Sequence, residues 1–141
     1  MTMQPFHKLF PDIGHDETRT LWLGEARDGM PAGDYAFVEW YCVDPDCDCR
    51  RVLWRVMSAD LPGVVATITH AFESPAADAY VPEQTYLEPL ERNHPFAPAV
   101  LRAVEELLLT DENYVARLRR HYQMVKVYFE PRSKPRSKPR P

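Results

Sequence analysis

Glycine is scarce in this chain: five residues in 141, scattered at positions 14, 24, 29, 33 and 63. No phosphate-cradling glycine loop, nucleophile elbow or His-Glu-x-x-His helix can be assembled from it. Long apolar runs are also missing. Nothing approaches the roughly 18–20 residues of a membrane span, and residues 1–10 lack the uninterrupted apolar core of a signal peptide. These absences point to a cytoplasmic chain. Cysteine is limited to three residues, an odd count that argues against a disulfide framework. Acidic residues are absent from the last eleven positions, which hold Arg132, Lys134, Arg136, Lys138 and Arg140. The remaining body carries 12 basic and 21 acidic residues. Such a body binds nucleic acid poorly, because phosphate contacts supply most of that affinity. Only the basic tail offers them.

What is present suits one globular domain. Hydrophobic residues make up 45% and charged residues 27%, ordinary for a soluble fold of this length. Residues 1–17 read as an N-terminal arm, since Pro5, Pro11 and Gly14 interrupt regular elements. Residues 18–130 read as the domain. Thr18–Glu25 predicts a first strand. Asp34–Cys42 is the clearest strand, aromatic and β-branched, with Glu39 alone among large apolar groups. Arg50–Ser58 alternates Val52, Trp54 and Val56 against Arg51 and Arg55. Leu61-Pro62-Gly63-Val64 suits a type II turn, and Val64–Phe72 returns as a further strand. These four form an antiparallel meander. A proline-broken stretch, 74–95, leaves room for a short strand near Gln84–Leu87. Helical spacing then runs from about Ala97 to Leu109. A second helix, capped by Thr110 or Asp111, carries a stripe of Tyr114, Leu118, His121, Tyr122 and Val125. The fold class is α+β, with two C-terminal helices on one face of the sheet. Proline and charge keep 131–141 from packing, so disorder is expected there.

The cysteines fall within Cys42-Val-Asp-Pro-Asp-Cys47-Asp-Cys49. Cys42 ends one strand and Cys49 opens the next, so a hairpin brings the three thiols together at its tip. Pro45 and the aspartates favour the turn. Thiolates select soft or borderline ions, zinc first among them in cytoplasm. Three thiolates on Zn²⁺ leave one negative charge, which Arg50 and Arg51 could offset. The fourth ligand is not in the cluster. His7, His15, His70, His94 and His121 are the candidates. Hairpin register puts His70 opposite residue 53 or 54, roughly 13 Å along the strand from Cys49. His121, on the buried face of the last helix, is favoured, then His94. A hydrogen-bonded core role for His121 competes on equal terms, and water in the fourth position would mean an open site.

Glu17-Thr18-Arg19, Gly33-Asp-Tyr35-Ala-Phe37, the block Tyr41-Cys42-x-Asp44-Pro45-x-Cys47-Asp48-Cys49-Arg50-Arg51-Val52, and Arg120-His121-Tyr122 carry a resemblance. The chain resembles, over most of residues 16–126, an uncharacterised bacterial family. Some members of that family carry a C-terminal SEC-C zinc-binding motif. The resemblance implies a metal-associated protein of unassigned activity, points to Cys42, Cys47 and Cys49, and adds weight to His121. No Cys-x-Cys-Gly-Ser module follows residue 126 here; only the basic tail does.

The expectation is therefore a metal-binding domain, with structural Zn²⁺ held by Cys42, Cys47, Cys49 and His121, that acts as an adaptor for another protein. Thiol redox or metal handling by the same cluster is the alternative. A zinc hydrolase or deaminase ranks last. His15-Asp16-Glu17 fits His-x-Glu, but Pro45-x-Cys47-x-Cys49 departs from Pro-Cys-x-x-Cys and lies in a hairpin.

Overall fold

The computed structural model describes residues 2–79 and 81–130. The predicted meander is there: β2 (Arg19–Leu23), β3 (Gly33–Cys42), β4 (Arg51–Ser58) and β5 (Val64–Ala71), each antiparallel to the next. The short strand expected near residues 84–87 joins as β6 (Thr85–Leu87) beside β5. Between β4 and β5, Gly63 takes φ +73, the left-handed position that a type II turn gives to glycine. The strands first pair at Met57↔Val64, so the connection is centred nearer residue 60 than the 61–63 turn, and His70 falls opposite Val52 rather than residue 53 or 54.

The N-terminal arm is more ordered than its prolines suggest. It forms β1 (Met3–Pro5), α1 (Phe6–Leu9) and α2 (Pro11–Glu17). Pro5 closes the strand, and Pro11 occupies the first turn of α2, where a missing N–H costs nothing. Strand β1 pairs with the far end of β3, in register Met3↔Cys42. The edge of the sheet beyond β3 is thus shared by β2 and β1. Gly14 permits the tight packing of the two helices, since a Cβ there would lie 2.5 Å from His7 Cα.

One face of the sheet is built from alternate residues: Tyr35, Phe37, Glu39 and Tyr41 of β3, Val52, Trp54 and Val56 of β4, and Ile68 of β5, all buried. The C-terminal helices cover it. The first is α3 (Ala97–Ala103), which continues into a π-helical turn over Val104–Leu108. The second is α4 (Glu112–Tyr128), capped by Asp111, whose carboxylate accepts the N–H groups of Asn113 and Tyr114. The expected stripe of Tyr114, Leu118, His121, Tyr122 and Val125 is buried. Each large apolar side chain so covered contributes roughly 1.5–3 kcal/mol. Trp54 Nε1 donates to Tyr114 Oη at 3.0 Å, a polar tie between sheet and helix inside that core. The tail 131–141 lies outside the described residues.

Candidate metal centre

The loop from β3 to β4 begins at Cys42. Asp44 organises it: its carboxylate accepts the N–H of Asp46 at 2.9 Å, and its carbonyl accepts the N–H of Cys47 at 3.1 Å. Asp44-Pro45-Asp46-Cys47 is therefore a β-turn with proline in its favoured second position. The turn reverses the chain toward Cys42. Cys47 and Cys49 follow before β4 begins, with the Cys49 N–H directed at Cys47 Sγ at 3.4 Å. As a result the sulfurs of Cys42, Cys47 and Cys49 lie within 4.8 Å of one another. Three thiolates around one tetrahedral zinc stand about 3.8 Å apart, from Zn–S bonds of about 2.3 Å. The donor set therefore fits a thiophilic ion in chemistry and in spacing.

Helix α4 holds this tip from the other side. Tyr122 Oη donates to the Cys49 carbonyl at 2.9 Å, and Lys126 Nζ donates to the Cys47 carbonyl at 2.8 Å. The Lys126 ammonium is thus the cation set against the thiols. Arg50, expected in that role, pairs instead with Glu73 at 3.0 Å and Asp48 at 3.8 Å. The thiols differ in their surroundings. Hydrogen bonds from Cys49 hold Cys47 below the usual thiol range, whereas burial pushes Cys49 up to about 12. An ion would override both, because a coordinating thiol is deprotonated by the metal charge.

Compared with protein-family models, curated proteins and solved structures, the chain matches none. The site must be read from its own atoms.

Those atoms place His121 elsewhere. It is buried on α4, one residue before Tyr122, and it faces inward to β3. Its Nδ1 lies 2.7 Å from Glu39 Oε1 and its Nε2 lies 2.7 Å from Glu17 Oε1. Phe6 stacks on the ring at 3.9 Å between centroids. Both ring nitrogens are engaged, and His121 is not among the residues that gather with the thiols. The other histidines are also placed. His70 Nδ1 meets Thr85 Oγ1 at 2.9 Å, His94 Nδ1 accepts the Phe96 N–H at 3.4 Å, and His7 and His15 are exposed.

Glu39 is the residue that sequence reasoning passed over. It is a buried carboxylate, reached by Tyr41 Oη at 2.8 Å and Tyr114 Oη at 3.5 Å as well as by His121. Both tyrosines are held well above their ordinary range, first by burial and then by the neighbouring Glu39. At the other end, Glu17 is pulled below its ordinary value by His121 and then by Arg120, 3.1 Å away. The signal for Glu39 was its parity. It shares the odd positions of β3 with Tyr35, Phe37 and Tyr41, so it had to enter the core and find a donor there.

Proposed function

We propose that the protein is a zinc-binding module in which the ion fastens the β3–β4 tip, and that the stiffened tip is an adaptor surface for another protein. The convergence of three cysteine sulfurs within 4.8 Å carries this reading. The clamp on both flanking carbonyls by Tyr122 and Lys126 supports a structural ion, because locking the tip also locks it to α4. The charge balance suits a divalent ion: three thiolates on it leave one negative charge, and Lys126, hydrogen-bonded to the Cys47 carbonyl, is the cation at the tip. Kinship with the bacterial family that shares the Tyr-Cys…Cys-Asp-Cys-Arg block is part of the same proposal.

Elemental analysis of untagged protein purified without added metal tests it, beside Cys49→Ser. About one zinc per chain is expected, lost in the variant together with thermal stability. Absence of metal in the wild type, with three rapidly reacting thiols, overturns it. That outcome moves the weight to the second reading, a dithiol–disulfide couple, which the same closeness of the sulfurs favours. There, two thiols pass two electrons and two protons to an external disulfide and join as a new S–S bond.

A further inference from the structure

We infer that the ion at Cys42, Cys47 and Cys49 keeps one coordination position for a neutral nitrogen donor supplied from outside the described residues, an imidazole in chemical class. This rests on the metal-binding reading above and goes beyond it. Four-coordination is the rule for zinc, and this cluster supplies three donors. Among the described residues, no histidine or carboxylate gathers with the three sulfurs. The favoured internal candidate is committed elsewhere. His121 could turn a nitrogen to the ion only by breaking its 2.7 Å contact with Glu39 or with Glu17, and a hydrogen bond to a charged group contributes about 1.5–3 kcal/mol.

There is room for an external ligand. A cleft of about 160 Å³ opens on the Cys42 side of the cluster, between residues 42–45 and the end of α4, and its lining includes Cys42, Asp44, Lys126, Phe129 and Glu130. That volume holds a few waters or one five-membered ring, given about 30 Å³ per water. Charge selects the ligand type. Three thiolates on a divalent ion already carry one net negative charge, and the Asp44 and Glu130 side chains line the same cleft. Lys126 is the opposing cation, and its ammonium is directed at the Cys47 carbonyl. An anionic donor would enter against like charge, whereas a neutral imidazole carries no such penalty and suits zinc.

Cobalt(II) is the probe, since its d–d bands report coordination number and donor type at a zinc site. The full chain, loaded with one Co(II), is titrated with imidazole and, separately, with azide. The expected result is thiolate-to-cobalt charge transfer, d–d bands that shift saturably with imidazole, and bands that stay in place with azide. Bands unmoved by imidazole overturn the inference and leave the metal reading intact. Bands moved equally by azide overturn the choice of a neutral donor. Failure of Co(II) to bind at all overturns both. A loaded protein that sediments as a dimer and ignores imidazole overturns the free position as well.

Discussion

Helix α4 touches two polar clusters with consecutive residues, and the clusters have opposite designs. His121 links Glu39 and Tyr41 in the core to half-buried Glu17 and exposed Arg120 at its margin, across three elements. Tyr122 faces the hairpin tip, where three half-covered or buried thiols gather. The first cluster is complete within the chain. Each of its charges has an opposite charge or a strong donor at hydrogen-bond distance. The second brings together soft donors that interact only weakly with one another, and three thiolates without a cation would repel. The difference shows what polar burial asks of a fold. A network that closes on itself adds rigidity, while a cluster of one donor type acquires its purpose from a cation.

The largest effect is expected from breaking the closed network. Glu39→Ala leaves His121 Nδ1 and the Tyr41 hydroxyl without their shared acceptor, and each buried polar group stranded in this way costs about 1–3 kcal/mol. Urea unfolding measures this, and metal content per chain should stay at the wild-type value. If zinc is lost along with stability, the two clusters are not independent. Cys49→Ser is the reciprocal variant. It should remove the ion and abolish the response of the melting temperature to a chelator. The loss is up to about 4 kcal/mol when free metal stands near a thousand times its dissociation constant.

A third prediction uses a different histidine to sharpen the contrast. Among the described residues His70 has no carboxylate partner; burial, then the nearby Arg119 guanidinium, bring its pKa down from 6.5 to about 4. Its unfolded form takes up a proton first as the solution is acidified. Stability is therefore full above about pH 6.5 and declines as pH falls toward 4, by at most on the order of 3 kcal/mol. His70→Gln should flatten that limb in pH-dependent urea melts. Glu17 acts lower down. Its pKa is depressed below 4.5, so its contribution is present above 4.5 and is lost as pH falls through its folded value. Glu17→Gln should alter only that acid end. The smallest effect belongs to Lys126→Met, which deletes one hydrogen bond to the tip and should cost about 1 kcal/mol. Its clearer readout is weaker zinc retention in a chelator competition.

Much of this molecule could be read from residue order. The period-two alternation of Val52, Trp54 and Val56 marked the face of β4, and the stripe from Tyr114 to Val125 marked the face of α4, because burial of those side chains is what forms the elements. The thiol cluster was legible for a related reason: a short turn between two strands leaves Cys42, Cys47 and Cys49 few places to go. The partner of His121 was not legible. It depends on how far α4 is rotated over the sheet and on α2, which brings Glu17 from 104 residues away in sequence. The ordered arm was missed because its prolines sit at element boundaries, where they act as punctuation rather than as breaks. The position of His70 slipped by one or two residues because β4 and β5 first pair at Met57 and Val64, so the whole 58–63 segment forms the connection and not the Pro62-Gly63 turn alone.

The pairing of β1 with β3 has a practical consequence. The Thr2 carbonyl accepts the N–H of Val43, and Met3 stands opposite Cys42. An extension joined to this end is therefore tethered through the strand that pairs with Cys42. A hexahistidine tag at that end would hang a string of imidazoles next to three thiolates, tethered at a high effective concentration. It would compete for the very position whose occupant is in question. Metal counts and spectra from such a fusion would describe the tag, and placing the tag at the other end, or cleaving it, decides whether they describe the protein.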